Sequence, residues 1–152
     1  MCRASARWWR RCSGRGGRRW RVSGGAGAVV LDASAVLALL HEEPGADVVA
    51  DALTRALVSA VNLSECVAQL VAAGVRDADA RAALELLGLT VVPFDAEQAW
   101  DAGCLRAATR RLGLSLGDRA CLALARLRGL PVLTADRAWA RLDVGVEVRP
   151  IR

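Results

Sequence analysis

VVLDASAVLALL, residues 29–40, is a short β-branched run that passes through one acid into a helical run. Val29–Leu31 has the composition of a buried strand, and Ala33–Leu40, unbroken by Gly or Pro, reads as a short helix. Asp32 stands at the junction, where a short acidic side chain caps the helix that follows. A strand leading straight into a helix is the start of a βα repeat, and the rest of the chain repeats the alternation.

Working outward, Ala46–Leu57 carries Val48, Ala52, Leu53 and Ala56 on one helical face. Val58–Val61 is a second short strand. Asn62–Ala73, Asp77–Leu87, Ala96–Leu112 and Leu116–Arg128 are helical runs closed by Gly74, Gly88, Gly113 and Gly129, the residue that tolerates the left-handed turn past a helix end. Leu89–Val92, Pro131–Leu133 and Val146–Val148 read as strands, and Arg137–Leu142 as a helical turn. Strands alternating with helices predict an α/β fold, a central parallel sheet with helices on both faces. Ligands of such folds bind beyond the carboxyl ends of the strands.

Composition narrows the chemistry. All 21 basic residues are Arg, and the single His is His41. Without lysine there is no phosphate-loop GK[ST], no Schiff base and no haloacid-type phosphatase. One His excludes an HExxH metalloprotease and a His-rich zinc site. Gly113-Leu-Ser115-Leu-Gly117 matches a nucleophile elbow, but that motif requires a preceding strand and a later His, and here a helix precedes it. The five cysteines form no CxxC, so Cys66, Cys104 and Cys121 read as core thiols.

The charge is unevenly placed. Residues 1–28 hold eight Arg and no acid, whereas the remainder holds 13 Arg against 16 acids. Residues 1–28 read as a disordered basic extension with three Trp, and residues 29–152 as the folded domain. Two explanations of the extension stay open: an RNA-attracting arm, or translated leader ahead of a true start near Val29 or Val30. Arg18-Arg19 precedes an apolar run, but that run is broken by Asp32 and Ser34 and is too short to span a bilayer. The expectation is a cytoplasmic protein with no membrane association.

Four acids lie at predicted helix starts: Asp32, Glu65 in SAVNLSECVAQL, Asp118 in LSLGDRACLALA and Asp136 in PVLTADRAW. Each has a bland reading as a cap; Asn62 with Glu65, and Ser115 with Asp118, have the spacing of a capping box. In a parallel sheet, however, these positions converge on one edge. Carboxylates gathered there require a counter-ion, and hard oxygen donors suit Mg²⁺ or Mn²⁺. Such ions activate water and neutralise charge on a phosphodiester, with no Ser, Cys, Lys or His nucleophile.

These four motifs, in this order over residues 29–152, resemble those of the PIN-domain ribonucleases, and among them the VapC-type toxins of toxin–antitoxin pairs. The resemblance implies a three-layer α/β/α fold and a metal-dependent endoribonuclease. It implies Asp32, Glu65 and Asp118 as metal-binding core acids and Asp136 as a more variable fourth. Ser34 and Thr134 match the small hydroxyl residues beside them. It also implies RNA as substrate, a VapB-type antitoxin covering the acidic pocket, and a homodimer. The alternative is a non-catalytic PIN-like module that binds RNA or protein. Residues 1–28 have no counterpart in the family pattern.

Overall fold

The structure is a computed structural model and describes residues 27–152. The basic extension expected over 1–28 lies outside the described residues except for Gly27 and Ala28. The chain runs β1 (Val29–Leu31), α1 (Ala33–Leu40), α2 (Ala46–Ala52), β2 (Ala56–Ser59), α3 (Ala60–Ala72), α4 (Asp77–Leu86), β3 (Thr90–Val92), α5 (Ala96–Cys104), α6 (Arg106–Thr109), α7 (Leu116–Arg128), β4 (Val132–Thr134) and β5 (Val148–Pro150). Short 3₁₀ turns occupy Leu53–Arg55, Arg110–Leu112 and Arg137–Arg141.

The five strands form one parallel sheet in the order β3-β2-β1-β4-β5. Alternation along the strands feeds two separate cores, because successive side chains leave opposite faces. Val29 and Leu31 join Val36, Val49, Cys66, Leu70 and Leu84 on the α1–α4 side. Val30 joins Leu105, Leu122, Val132 and Trp139 on the α5–α7 side. The expected three-layer α/β/α architecture is present. Among the described residues no helix is long and apolar enough to cross a membrane.

The chain leaves β1 towards β2 and β3 on one side, then returns to place β4 and β5 on the other. The carboxyl ends of β1 and β4 therefore flank a topological switch point, the place where ligands of such folds bind. Asp32 follows β1, and Thr134 ends β4.

Several boundaries differ from the sequence reading, among them the last strand, which runs Val148–Pro150 rather than Val146–Val148. The helix expected over Ala46–Leu57 stops at Ala52, and β2 begins at Ala56 rather than Val58. Pairing of Ala56 with Val29 overrides a segment whose local sequence contains no breaker. The next helix starts at Ala60 because Ser59, not Asn62, is its N-cap, accepting the Val61 N–H at 3.3 Å. The run expected over Ala96–Leu112 breaks at Leu105. Buried Thr109 donates its hydroxyl to the Leu105 carbonyl at 2.9 Å, a back-bond that bends helices. Cys66 and Cys121 are buried as expected, whereas Cys104 is only half-buried.

Candidate functional site: an acidic crevice at the switch point

Asp32 caps α1 with its side chain and is almost wholly buried, 4% exposed. Its Oδ2 accepts from Ser34 N–H at 3.2 Å, from the Ser34 hydroxyl, and from the Thr134 hydroxyl at 3.1 Å. Its Oδ1 accepts only a long bond from Asn62 Nδ2, at 3.4 Å. Strands β1 and β4 are thus tied together at their carboxyl ends through one carboxylate. Ser34 and Thr134, named from sequence as supporting residues, both touch the acid they were expected to support.

Glu65 lies one turn beyond Asn62 on α3, so the two side chains share a helix face. Asn62 Nδ2 donates to Glu65 Oε2 at 3.1 Å and to the Gly117 carbonyl at 3.2 Å. The Ser115 hydroxyl reaches Glu65 Oε1 at 3.4 Å. The Glu65 carboxylate therefore rests against the first turn of α7, where the helix dipole favours negative charge.

Asp118 completes a capping box on α7. Ser115 N–H donates to its Oδ2 at 2.6 Å, and Asp118 N–H donates to Ser115 Oγ at 3.1 Å. The sequence spacing that suggested a cap is therefore used as one. Asp136 is exposed and caps the turn that follows it, accepting from Ala138 N–H at 2.8 Å. Its own N–H donates to Thr134 Oγ1, which places it at the rim beside the Asp32 cluster.

Electrostatics follow from this crowding. Burial, and next to it the charge of Asp118, hold the Asp32 carboxyl above the ordinary carboxylate range despite its hydrogen bonds from Ser34 and Thr134. Glu65 is raised in the same direction by burial and then by Asp118 and Asp32. Asp32, Glu65 and Asp118 thus come within electrostatic reach of one another, and Asp136 is linked to Asp32 through Thr134. Among the described residues no Arg or His forms an ion pair with any of the four. Nearby Cys66 offers no thiolate: burial and the adjacent acids push its thiol up to about 12.

The donor set suits a hard divalent cation: three uncompensated carboxylates, with an underused Oδ1 on Asp32. Asn62 Oδ1 is buried without a hydrogen-bond partner in the same cluster. Among the described residues no three Asp, Glu, His or Cys side chains already converge as a ligand group. The Asp118 carboxylate is turned back onto its own cap, and its release would be a change of one side chain.

Asn62 and Gly117 were not singled out from sequence as site residues. Asn62 was legible only as a cap candidate, and its spacing of three from Glu65 was the signal that could have placed it beside that acid. Gly117 lies inside a helix, where a glycine without a turn to make is the cue for a close approach.

The fold and the site define a three-layer parallel α/β protein with carboxylates gathered near its switch point. A family profile for the PIN domain matches residues 29–145, and the chain belongs to the PIN domain family. Among solved structures it is similar to a DNA-bound VapBC from Salmonella typhimurium, at 21% identity and a TM-score of 0.64 over 83% of this chain and 99% of that one. It is similar to a toxin–antitoxin complex from Klebsiella pneumoniae at 19% identity and a TM-score of 0.63, over 82% and 98%. VapBC-5 from Mycobacterium tuberculosis, a member of the VapBC family of toxin–antitoxin systems, matches at 27% identity and a TM-score of 0.55, over 83% and 98%. No curated protein matches the chain in sequence. The resemblance drawn from the four motifs is borne out at the level of family and fold.

Proposed function

We propose that this chain is a Mg²⁺- or Mn²⁺-dependent endoribonuclease and the VapC-type toxin of a toxin–antitoxin pair, acting in the cytoplasm. The observation that carries the reading is that Asp32, Glu65 and Asp118, from three different elements, lie within electrostatic reach of one another with no ion-paired cation among the described residues, although their side chains do not converge as a ligand group with Asp118 held in its cap. Stacking charge in this way costs stability unless something binds there. Asp32, Glu65 and Asp118 would hold the metal, with Asp136 beside them at the rim. The metal would supply activation of water and charge neutralisation on the scissile phosphate. Ser34 and Thr134 orient Asp32, and Asn62 orients Glu65.

The PIN family match and the likeness to VapBC structures support a VapB-type antitoxin as partner, placed over the acidic crevice. A homodimer is proposed as well. Val67 on α3 and Val91 on β3 are exposed apolar residues that line one groove, which supports a covered face. The test of function is RNA cleavage titrated with Mg²⁺ and Mn²⁺, then stripped with EDTA. Cleavage that depends on metal is the expected result. RNA binding without cleavage in either metal would instead mark a non-catalytic module.

A further inference from the structure

An ideal Cβ built at position 117 would lie 2.1 Å from Cδ, Oε1 and Oε2 of Glu65. Real Cβ atoms do not approach other atoms so closely. Gly117 is buried in the first turn of α7, and its φ is not in the left-handed region. Its backbone therefore does not require glycine, and a helical glycine costs stability relative to alanine. What a side chain here would do is displace the Glu65 carboxylate, the far end of a flexible side chain, from the space it fills.

A second observation points to the same carboxylate. Asn62 is 0% exposed, and its Nδ2 faces Asp32 Oδ1, Glu65 Oε2 and the Gly117 carbonyl, three acceptors for two hydrogens. Its Oδ1 has no partner. A buried amide that is overcommitted on one atom and empty on the other is a poor choice for stability alone. It is a good choice for holding two like charges at a fixed separation.

We infer that Gly117 and Asn62 are positioning residues for Glu65: glycine at 117 leaves the space its carboxylate occupies over α7, and the Asn62 amide ties it to Asp32. This rests on the metal-dependent reading above. It predicts that the two residues act on metal affinity through Glu65 and not through the fold.

The experiment is a calorimetric Mn²⁺ titration of the full chain, with melting temperature measured alongside. Gly117→Ala is expected to weaken Mn²⁺ binding by about tenfold or more, the scale of a lost orienting partner, while melting at or above the wild-type temperature. Gly103→Ala is the control, a glycine inside α5 with open space around it, and should leave Mn²⁺ affinity unchanged. Adding Gly117→Ala to Glu65→Gln should cause no further loss of affinity, since both changes act on one carboxylate. Asn62→Ala should also weaken binding about tenfold.

Wild-type affinity in Gly117→Ala, an additive loss in the double variant, or a fall in melting matching the loss of binding would each overturn the role of Gly117. Wild-type affinity in Asn62→Ala would overturn that of Asn62. A wild-type chain that binds no Mn²⁺, or an Asp32→Asn variant that binds it equally well, would overturn the metal-dependent reading and this inference with it.

Discussion

Ser34 and Thr134, 100 residues apart in the chain, place their hydroxyls 3.2 Å from each other against the same oxygen, Oδ2 of Asp32. Ser34 Oγ accepts the Ala135 N–H at 3.0 Å and Thr134 Oγ1 accepts the Asp136 N–H at 3.1 Å. Each hydroxyl therefore has its own proton left for the carboxylate. The first helix and the fourth strand are locked together through an acid that neither could hold alone. Thr134→Val keeps the shape and removes the donor. It is expected to cost about 1.5–3 kcal/mol, the scale of a hydrogen bond to a charged group, and to lower cleavage by roughly 10- to 100-fold. Thr134→Ser should restore most of both. Chemical denaturation and single-turnover cleavage measure the two effects, and wild-type cleavage in the Val variant would count against an orienting role.

Asp32→Asn and Asp118→Asn each remove one charge from the proposed metal site with little change in shape. Both are expected to lose RNA cleavage and Mn²⁺ binding. Neither should unfold the chain, because an Asn oxygen can still accept the Ser34 and Ser115 amide protons that cap α1 and α7. In the absence of metal, Asp32→Asn should melt no lower than wild type, since it relieves a buried charge facing Asp118. Cleavage at the wild-type rate by either variant would move the metal site elsewhere.

Much of this was legible in advance, for reasons that individual residues make clear. Asp32, Ser34 and the strand before them read correctly because a β-branched run, an acidic cap and an Ala/Leu helix follow one another without ambiguity. Ser115 and Asp118 kept the cap spacing that sequence displays. Ser59 was hidden because Asn62 and Glu65 imitate a capping box three residues downstream, and the helix took the earlier hydroxyl. Gly117 was hidden for a different reason. Its role depends on how closely α3 approaches α7, a tertiary distance: a glycine inside a helical run is the only local cue, and it does not say what approaches.

The metal-free protein should become more stable as pH falls from neutral. Asp32 and Glu65 both have folded-state values above their ordinary ones. Between the ordinary and the raised values the folded chain holds protons that the unfolded chain has released. Stability then decreases as pH rises through that window, and the penalty is fully present above the raised values. In EDTA, denaturation midpoints should therefore rise as pH is lowered from neutral towards the ordinary carboxylate range. Asp32→Asn should flatten the trend, and saturating Mn²⁺ should reverse it by favouring the ionised carboxylates. A midpoint that climbs with pH in EDTA would contradict the direction given for both acids.

Deleting residues 1–26 should leave the fold and the proposed metal site intact. Among the described residues, 27–152, the five strands form one sheet with a core on each face and bring the proposed site residues together, and β1 pairs on both sides with strands from that range. The removed segment carries eight arginines and no acid, so the change falls on charge. Melting temperature and Mn²⁺ affinity are expected to match those of the full chain. RNA binding separates the two explanations of the segment. If it is an RNA-attracting arm, the full chain binds more tightly at low salt, and its affinity falls more steeply with salt than that of the shortened chain. If it is leader ahead of the working start, the shortened chain cleaves its RNA target with unchanged sequence preference, and salt slopes for the specific cleavage coincide. A shortened chain that fails to fold would show that residues 1–26 belong to the domain.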